Sequence, residues 1–238
     1  MRPLTTIVLA TNNTHKVGEI RAILGEQFRF QTLAEFPDAP KVVEDAPTFA
    51  GNATKKAVES GKFLSQGRHE VSSFVLADDS GLEVDALNGA PGVYSARFAG
   101  LDHGNHGNSS DSENRAKLLC LLRGIPTEKR TARFRCVLAL TPLSELAKDS
   151  ASPVCYADEY EMQTELFEGT CEGQIEFSER GQGGFGYDCL FTPTGYSQTF
   201  AELREEVKNR LSHRAMALER LRIRLQGHSR QIRGGALG

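Results

Sequence analysis

Within its first 24 residues the chain changes hydrophobic period. Thr6-Ile7-Val8-Leu9-Ala10 is a short β-branched apolar run, whereas Val17, Ile20 and Leu24 recur at helical spacing through KVGEIRAIL. Between them lies the polar hexapeptide TNNTHK, with Thr14 in position to cap the helix. A strand, a polar loop and a helix in that order is the opening of an α/β fold, in which helices cover a sheet.

The remaining 214 residues extend the same alternation. Phe49 to Leu64 reads as a second helix with Ala53, Ala57 and Leu64 on one side, and Phe74-Val75-Leu76-Ala77 as a strand. A turn is expected at Asp-Ser-Gly, followed by an extended piece from Leu82 to Ala86. A polar loop from about Leu101 leads to a helix over 113–123, with Ala116, Leu119 and Leu122 as its buried stripe. ARFRCVLALT reads as a strand passing from edge-like to fully buried, and EYEMQTELFEGTCEGQIEF alternates well enough for two more. A last helix runs to about Gln226 with Ala215, Leu218, Leu221 and Leu225 inward, and Gly227 supplies its stop. The spacing therefore predicts one α/β domain over residues 1–227, with a mixed sheet because one region alternates as hairpins do, and a mobile tail over 228–238.

Composition narrows the function classes. A formal net charge of -3 argues against a protein that neutralises a long nucleic-acid backbone, while leaving room for a local basic pocket around one polyphosphate. No run approaches the roughly 18 apolar residues of a membrane span, and the start, MRPLTTIVLATNN, does not read as a signal peptide. The five cysteines, Cys120, Cys136, Cys155, Cys171 and Cys189, are odd in number and lack a C-x-x-C pair. That suits reduced thiols in a cytoplasmic protein rather than a disulfide or zinc framework.

Four stretches carry chemistry. Backbone amides in Thr11 to Lys16 stand at a helix start, where anions bind, and Lys16 adds a full charge; the bland reading is a polar strand–helix connection. Asp78 and Asp79 end an apolar strand, where two repelling carboxylates suggest a visiting cation. Neighbours on a strand point to opposite faces, so both can ligate one ion only if the chain bends at Ser80-Gly81; a solvated acidic turn is the alternative. Phosphate nearby would make that ion Mg²⁺. In GQGGFGYD the glycines let backbone approach a ligand, Phe185 can stack on a base and Asp188 can accept from a ring N–H, although a tight turn would explain the glycines equally well. KNRLSHR gathers donors for carbonyl and phosphate oxygens at Lys208, His213 and Arg214, with Ser212 able to cap the last helix. His103 and His106 lie in a polar loop without a third ligand and read as solvated.

The order LATNNTHK, TFAGNATKKA, ADDSGLEVDALNGAPGVYSARFAG, ARFRCVLAL, FEGTCEGQI, GGFGYD and KNRLSHRAMAL closely resembles the inosine triphosphate pyrophosphatase family, from about Ile7 to Leu225. The resemblance implies an elongated mixed sheet flanked by helices, in two lobes with a central cleft, and a homodimer. It also implies Mg²⁺-dependent hydrolysis of ITP, dITP or XTP to monophosphate and pyrophosphate. Carried over by motif, Thr11, Asn12, Asn13, Thr14, His15 and Lys16 bind the triphosphate, Asp79 is the catalytic and metal-site carboxylate, and Ser80 contacts substrate. Phe185, Gly186, Tyr187 and Asp188 hold the nucleoside, with Lys208, His213 and Arg214 completing the base and phosphate contacts. A related septum-type pyrophosphatase would carry a Ser-x-Ser-Pro-Arg-like motif where this chain has ATNNTHK.

Three positions depart from the family pattern. The family usually reads Phe-x-Glu-Asn-Ala in the second helix, with that Glu helping to hold the metal; here Gly51 replaces it. Either Glu44 or Asp45 reaches in, water fills the place, or catalysis is impaired and the protein only binds nucleotide. His15 stands where the family often has Gly, and Cys189 where it usually has Pro, the latter expected to matter only for packing.

Overall fold

The structure is a computed structural model describing residues 5–65, 73–104, 107–143 and 163–234. Among these, six strands form one sheet in the order β2-β1-β3-β4-β5-β6: β1 (Thr6–Leu9), β2 (Arg29–Thr32), β3 (Ser73–Val84), β4 (Thr131–Leu143), β5 (Glu165–Ile175) and β6 (Phe191–Pro193). β1 pairs in parallel with both β2 and β3, while β5 and β6 pair antiparallel, so the sheet is mixed as the alternation predicts. Five α-helices accompany it: α1 (Thr14–Leu24), α2 (Phe49–Ser65), α3 (Asp111–Leu121), α4 (Glu205–Leu211) and α5 (His213–Gly234).

The chain divides into two compact units. The first comprises Met1–Asp79, Val137–Phe167 and Leu218–Gly238, and the second Ser80–Cys136 and Glu168–Ala217. In the first, Ile7, Val8 and Leu9 of β1 and Val75 and Leu76 of β3 are buried, as are Ile20 and Leu24 of α1 and Ala53, Ala57 and Leu64 of α2. These apolar periodicities sit where the pattern places them, whereas the stripe expected on α3 does not: Ala116 is exposed and Leu119 half-buried, and Asn114 and Leu118 are the buried residues of that helix, with Leu122 buried just beyond it. In the second, Leu82, Val84, Leu118, Leu122, Ala132, Leu190 and five aromatic residues (Phe98, Phe134, Tyr187, Phe191 and Phe200) share one core. Phe134 makes an edge contact with Phe191 at 4.8 Å and stacks on Phe200 at 5.8 Å. The first half of β4 is edge-like because Arg133 and Arg135 turn outward to Asp85, Glu172, Glu83 and Glu168, whereas Cys136 to Leu140 are buried.

Several boundaries differ from the sequence expectation. β3 does not turn at Asp-Ser-Gly but runs unbroken through Asp79, Ser80 and Gly81 to Val84, so sheet pairing overrides a local turn preference. Asn13 rather than Thr14 caps α1, and Thr14 is its first helical residue. The expected pair of strands over EYEMQTELFEGTCEGQIEF is one strand, β5, over its described part. α5 passes Gly227 and continues to Gly234, so the helix takes up most of the segment expected to be a mobile tail. Cys155 and His106 fall outside the described residues, as do 235–238; the other four cysteines are free thiols.

Candidate active site

The first unit assembles the carboxylates with two lysines. The polar loop after β1 is tied locally: Asn13 N donates to Thr11 Oγ1 at 3.2 Å, and Asn13 Oδ1 accepts from the amides of His15 at 3.0 Å and Lys16 at 3.2 Å. Two of the helix-start amides are therefore occupied by the cap, which leaves side chains as the main anion donors of this loop. Asn12, Thr14 and His15 are exposed, whereas Lys16 is partly buried and forms a close ion pair with Asp78.

Asp78 and Asp79 do not converge on one ion. Because β3 stays extended, successive side chains leave on opposite faces, and each acid meets its own lysine. Asp78 takes Lys16 of α1, while Asp79 Oδ1 lies 3.5 Å from Nζ of Lys56 on α2. Lys56 also donates to the Asp78 carbonyl at 2.7 Å and sits 3.3 Å from Glu44 Oε2. The visiting cations anticipated from the paired acids are thus, in the first place, two ammonium groups of the chain itself.

Asp79 is 6% exposed, and its Oδ2 has no hydrogen-bond partner. Burial pushes its carboxyl up to about 6, against the attraction of Lys56 and Lys16 and with the help of Glu44, whose negative charge is close enough to count. Asn52, fully buried, accepts from Ala46 N at 2.9 Å through Oδ1; its Nδ2 lowers the Asp79 carboxyl slightly but makes no well-formed hydrogen bond. Asp79 Oδ2 and Asn52 Nδ2 thus influence each other without forming an aligned hydrogen bond, and each keeps capacity for a ligand. That is the pattern left when a cation and an anionic ligand belong there.

The second unit builds a cradle around Asp188. Its Oδ2 accepts from Phe185 N at 2.9 Å and from Lys208 Nζ at 2.8 Å, and the carboxylate is 4% exposed. Gly184 must be glycine: φ is +73°, and a Cβ would lie 2.1 Å from Asp188 Oδ2. Lys208 Nζ stands 5.3 Å and Arg214 Cζ 5.9 Å from the Phe185 ring centre, so two cations flank the aromatic face. Arg214 donates to Ser80 Oγ at 2.8 Å. The His213 ring stacks on Phe134 at 4.8 Å, and Ser212 Oγ caps α5 by accepting from Ala215 N at 3.2 Å, as its position predicts. Tyr187 is a core residue of this loop: it is buried and its hydroxyl donates to the Ser95 carbonyl at 2.9 Å. Gly186 offers only backbone.

A family model described as the Ham1 family matches residues 7–223. The chain belongs to the Ham1 family. It is 46% identical over 215 residues to a dITP/XTP pyrophosphatase of Desulforamulus reducens, covering 90% of this chain and 92% of that protein. It is 39% identical over 224 residues to one from Shouchella clausii, covering 94% and 98%. Among solved structures, a HAM1 protein from Coxiella burnetii superposes with a TM-score of 0.74 at 35% identity, over 94% of this chain and all of that one. The Staphylococcus aureus Ham1 protein gives 0.72 at 33% identity, over 94% and 99%.

Against the Ham1 pattern, the three departures acquire physical content. At Gly51 a Cβ would lie 2.8 Å from Ala46 Cβ and 3.1 Å from Thr48 Oγ1. Segment 44–48 is therefore packed onto the first turn of α2, held by Asn52 Oδ1, and a larger residue at 51 would have to push Ala46 aside. Of the two acids weighed as substitutes, Glu44 reaches Lys56 and acts on Asp79, whereas Asp45 is exposed and pairs with Lys55 at 2.7 Å. Cys189 is more than packing: its thiol donates to Glu179 Oε2 at 3.6 Å, and burial first of all pushes it up to about 11, so it stays protonated. His15 lies exposed in the first turn of α1.

Lys56 and Asn52 went unnoticed in the sequence. The signal was present: Lys56 lies on the face of α2 that carries Asn52, Ala53, Ser60 and Leu64, and a lysine within a buried helical stripe needs a partner.

Proposed function

We propose that this protein hydrolyses deaminated purine nucleoside triphosphates (ITP, dITP and XTP) to the monophosphate and pyrophosphate, with Mg²⁺ as the working cation. The observation that carries the reading is Asp79: a buried carboxylate with one vacant oxygen, held near 6, with Lys16 and Lys56 in the same cluster. The relatives in Desulforamulus reducens and Shouchella clausii are dITP/XTP pyrophosphatases by name, which supports the same substrate class.

The residues present fit a hard, oxygen-seeking ion. Among the described residues no group of three or more His, Cys, Asp or Glu could hold a metal, so no all-protein cage stands ready. Mg²⁺ does not require one, because it commonly takes one or two carboxylates and completes its shell with water and substrate phosphate. Asp79 Oδ2 and Glu44 would be those carboxylates, Asp78 being engaged by Lys16. Bound there, the ion would offset phosphate charge and make water a better nucleophile.

The chain's own groups do the rest. Lys16 and Lys56 neutralise phosphate oxygens, Asn52 Nδ2 is free to donate to one, and Asp79, ionised above about pH 6, can take the proton from an attacking water. For the base, Phe185 offers a stacking face, and the donors of Lys208, His213 and Arg214 suit the 6-carbonyl of hypoxanthine or xanthine. Adenine presents an amino group there, leaving a donor unpaired at a cost of about 1–3 kcal/mol, or roughly 5- to 150-fold. The reading extends to a homodimer, as the family resemblance implies, and to a cytoplasmic location; among the described residues no helix is long and apolar enough to cross a membrane. Sedimentation tests the dimer.

Against the alternative of a nucleotide-binding protein with impaired catalysis stands the position of Glu44, which pairs with Lys56 and acts on Asp79 and would stand in for the carboxylate that Gly51 lacks. Product analysis tests the proposal. With Mg²⁺, ITP should yield inosine monophosphate and pyrophosphate in equal amounts; release of orthophosphate, or of nothing, would refute it.

A further inference from the structure

The loop that carries Phe185 and Asp188 is gripped from outside as well as from within. Gly186, in the left-handed region with φ +60°, has both backbone polar groups engaged by one helix. Its N–H donates to Asp111 Oδ2 at 2.7 Å, and its carbonyl accepts from Arg115 Nη1 at 3.0 Å. Asp111 and Arg115 are four residues apart and so share a face of α3, whose start is fixed by a reciprocal cap between Ser110 and Glu113. Arg115 is itself held by Glu179, with Nε 2.9 Å from Oε1, as an ion pair rather than an aligned hydrogen bond. Glu179 in turn accepts from the Cys189 thiol.

We propose that Asp111 and Arg115 form a positioning clamp that sets the nucleobase loop before substrate arrives, with Arg115 the residue on which recognition of the base depends. The inference rests on the reading that residues 185–188 hold the base. Elsewhere the loop is held through its neighbours: Phe185 N donates to Asp188 Oδ2, Asp188 N to the Phe185 carbonyl at 3.2 Å, Gly183 N to the Ala201 carbonyl at 3.1 Å, Ala201 N to the Asp188 carbonyl at 3.2 Å, and the Tyr187 hydroxyl to Ser95, whereas the polar groups of Gly186 are held by the clamp. A glycine-rich segment of this kind samples many conformations unless its peptides are tied. The clamp ties the peptide next to Phe185, on the far side of that residue from the Asp188 contact. Both clamp residues act through Gly186, whose backbone groups they hold. A solvent-facing ion pair alone would contribute little, but here the guanidinium also donates to the loop backbone.

The test compares the unmodified protein with Arg115→Met and Arg115→Lys in three measurements. These are steady-state hydrolysis of ITP, inhibition by inosine monophosphate and by inorganic triphosphate, and amide hydrogen exchange over 183–188 without ligand. Loss of the clamp lowers the fraction of loop ready to bind, and apparent affinity falls in proportion. Arg115→Met should raise KM for ITP and the inosine monophosphate inhibition constant by about tenfold with kcat within about twofold, a pre-binding effect. Inorganic triphosphate, which has no base, should inhibit as before. Exchange at Gly186 should quicken, and Arg115→Lys should recover part of each change. Unaltered exchange would overturn the clamp, and so would quickened exchange with unchanged inosine monophosphate affinity. Equal weakening of inorganic triphosphate would point to general loosening and overturn it too. If the unmodified protein releases no pyrophosphate from ITP, the functional reading falls; loop exchange and inosine monophosphate binding then still decide the clamp.

Discussion

Replacing Asp79 with asparagine should separate stability from function in a pH-dependent way. The Asp79 carboxyl is pushed from its ordinary 3.8 up to about 6, with burial the largest cause. Between those values the folded protein holds a proton that the unfolded chain releases. The protonated acid therefore contributes stability that is fully present below 3.8 and is lost as pH rises through 6. Two such pKa values give a difference of roughly 1.4 kcal/mol between pH 5 and pH 8. In a chain of 238 residues that corresponds to roughly 3–6 °C in Tm. Asparagine does not titrate, so the stability of the unmodified protein minus that of Asp79→Asn should fall by this amount from pH 5 to pH 8. Thermal or denaturant unfolding with a chelator present measures it. A difference independent of pH, or one that grows in favour of the unmodified protein at pH 8, would refute the reasoning. It would mean that Lys56 and Lys16 outweigh burial. Mg²⁺ should then stabilise the unmodified protein more at pH 8 than at pH 5, because the ligand must be ionised.

Three further outcomes follow from the same geometry. The kcat/KM for ITP should show an acid limb that lies nearest pH 6 at limiting Mg²⁺ and moves lower as Mg²⁺ is raised, because ion and proton compete for Asp79; pH–rate profiles at two Mg²⁺ concentrations check it. Gly51→Glu should not raise turnover; it should lower stability by about 1–3 kcal/mol through overpacking against Ala46 and displace Glu44, as unfolding and ITP assays would show. Gly184→Ala should cost about 1–3 kcal/mol through its positive φ and break the Asp188 contacts, raising KM for ITP while sparing inhibition by inorganic triphosphate.

How much of this was legible in the sequence depends on whether the signal was local. The strand–loop–helix opening, the stripe of α2 and the switch of β4 from exposed to buried follow from periodicity, and they lie where it puts them. The motif order, too, reads directly as the family, because backbone-demanding positions such as Gly184 cannot vary without cost. The path through Asp78-Asp79-Ser80-Gly81 was not legible. Turn-forming residues there are overruled by pairing with strands distant in sequence, and the continuous strand then sends the two acids to different lysines. Lys55 and Lys56 show the same limit. They are adjacent and chemically identical, yet one is solvent-facing with Asp45 and the other is buried beside Asp79, and only their phase on the helix distinguishes them. Gly227 failed as a stop signal because glycine permits a helix end without imposing one.

The most direct test is pyrophosphate release with Mg²⁺ from ITP and from ATP, in the unmodified protein and in Asp79→Asn. The account predicts kcat/KM for ITP roughly 5- to 150-fold above that for ATP, from an unpaired donor at the adenine amino group. It also predicts a loss of about a hundredfold or more in Asp79→Asn with the fold intact, since a positioned proton acceptor contributes roughly 10²–10⁴-fold. Equal use of ATP, or full activity in Asp79→Asn, would contradict it.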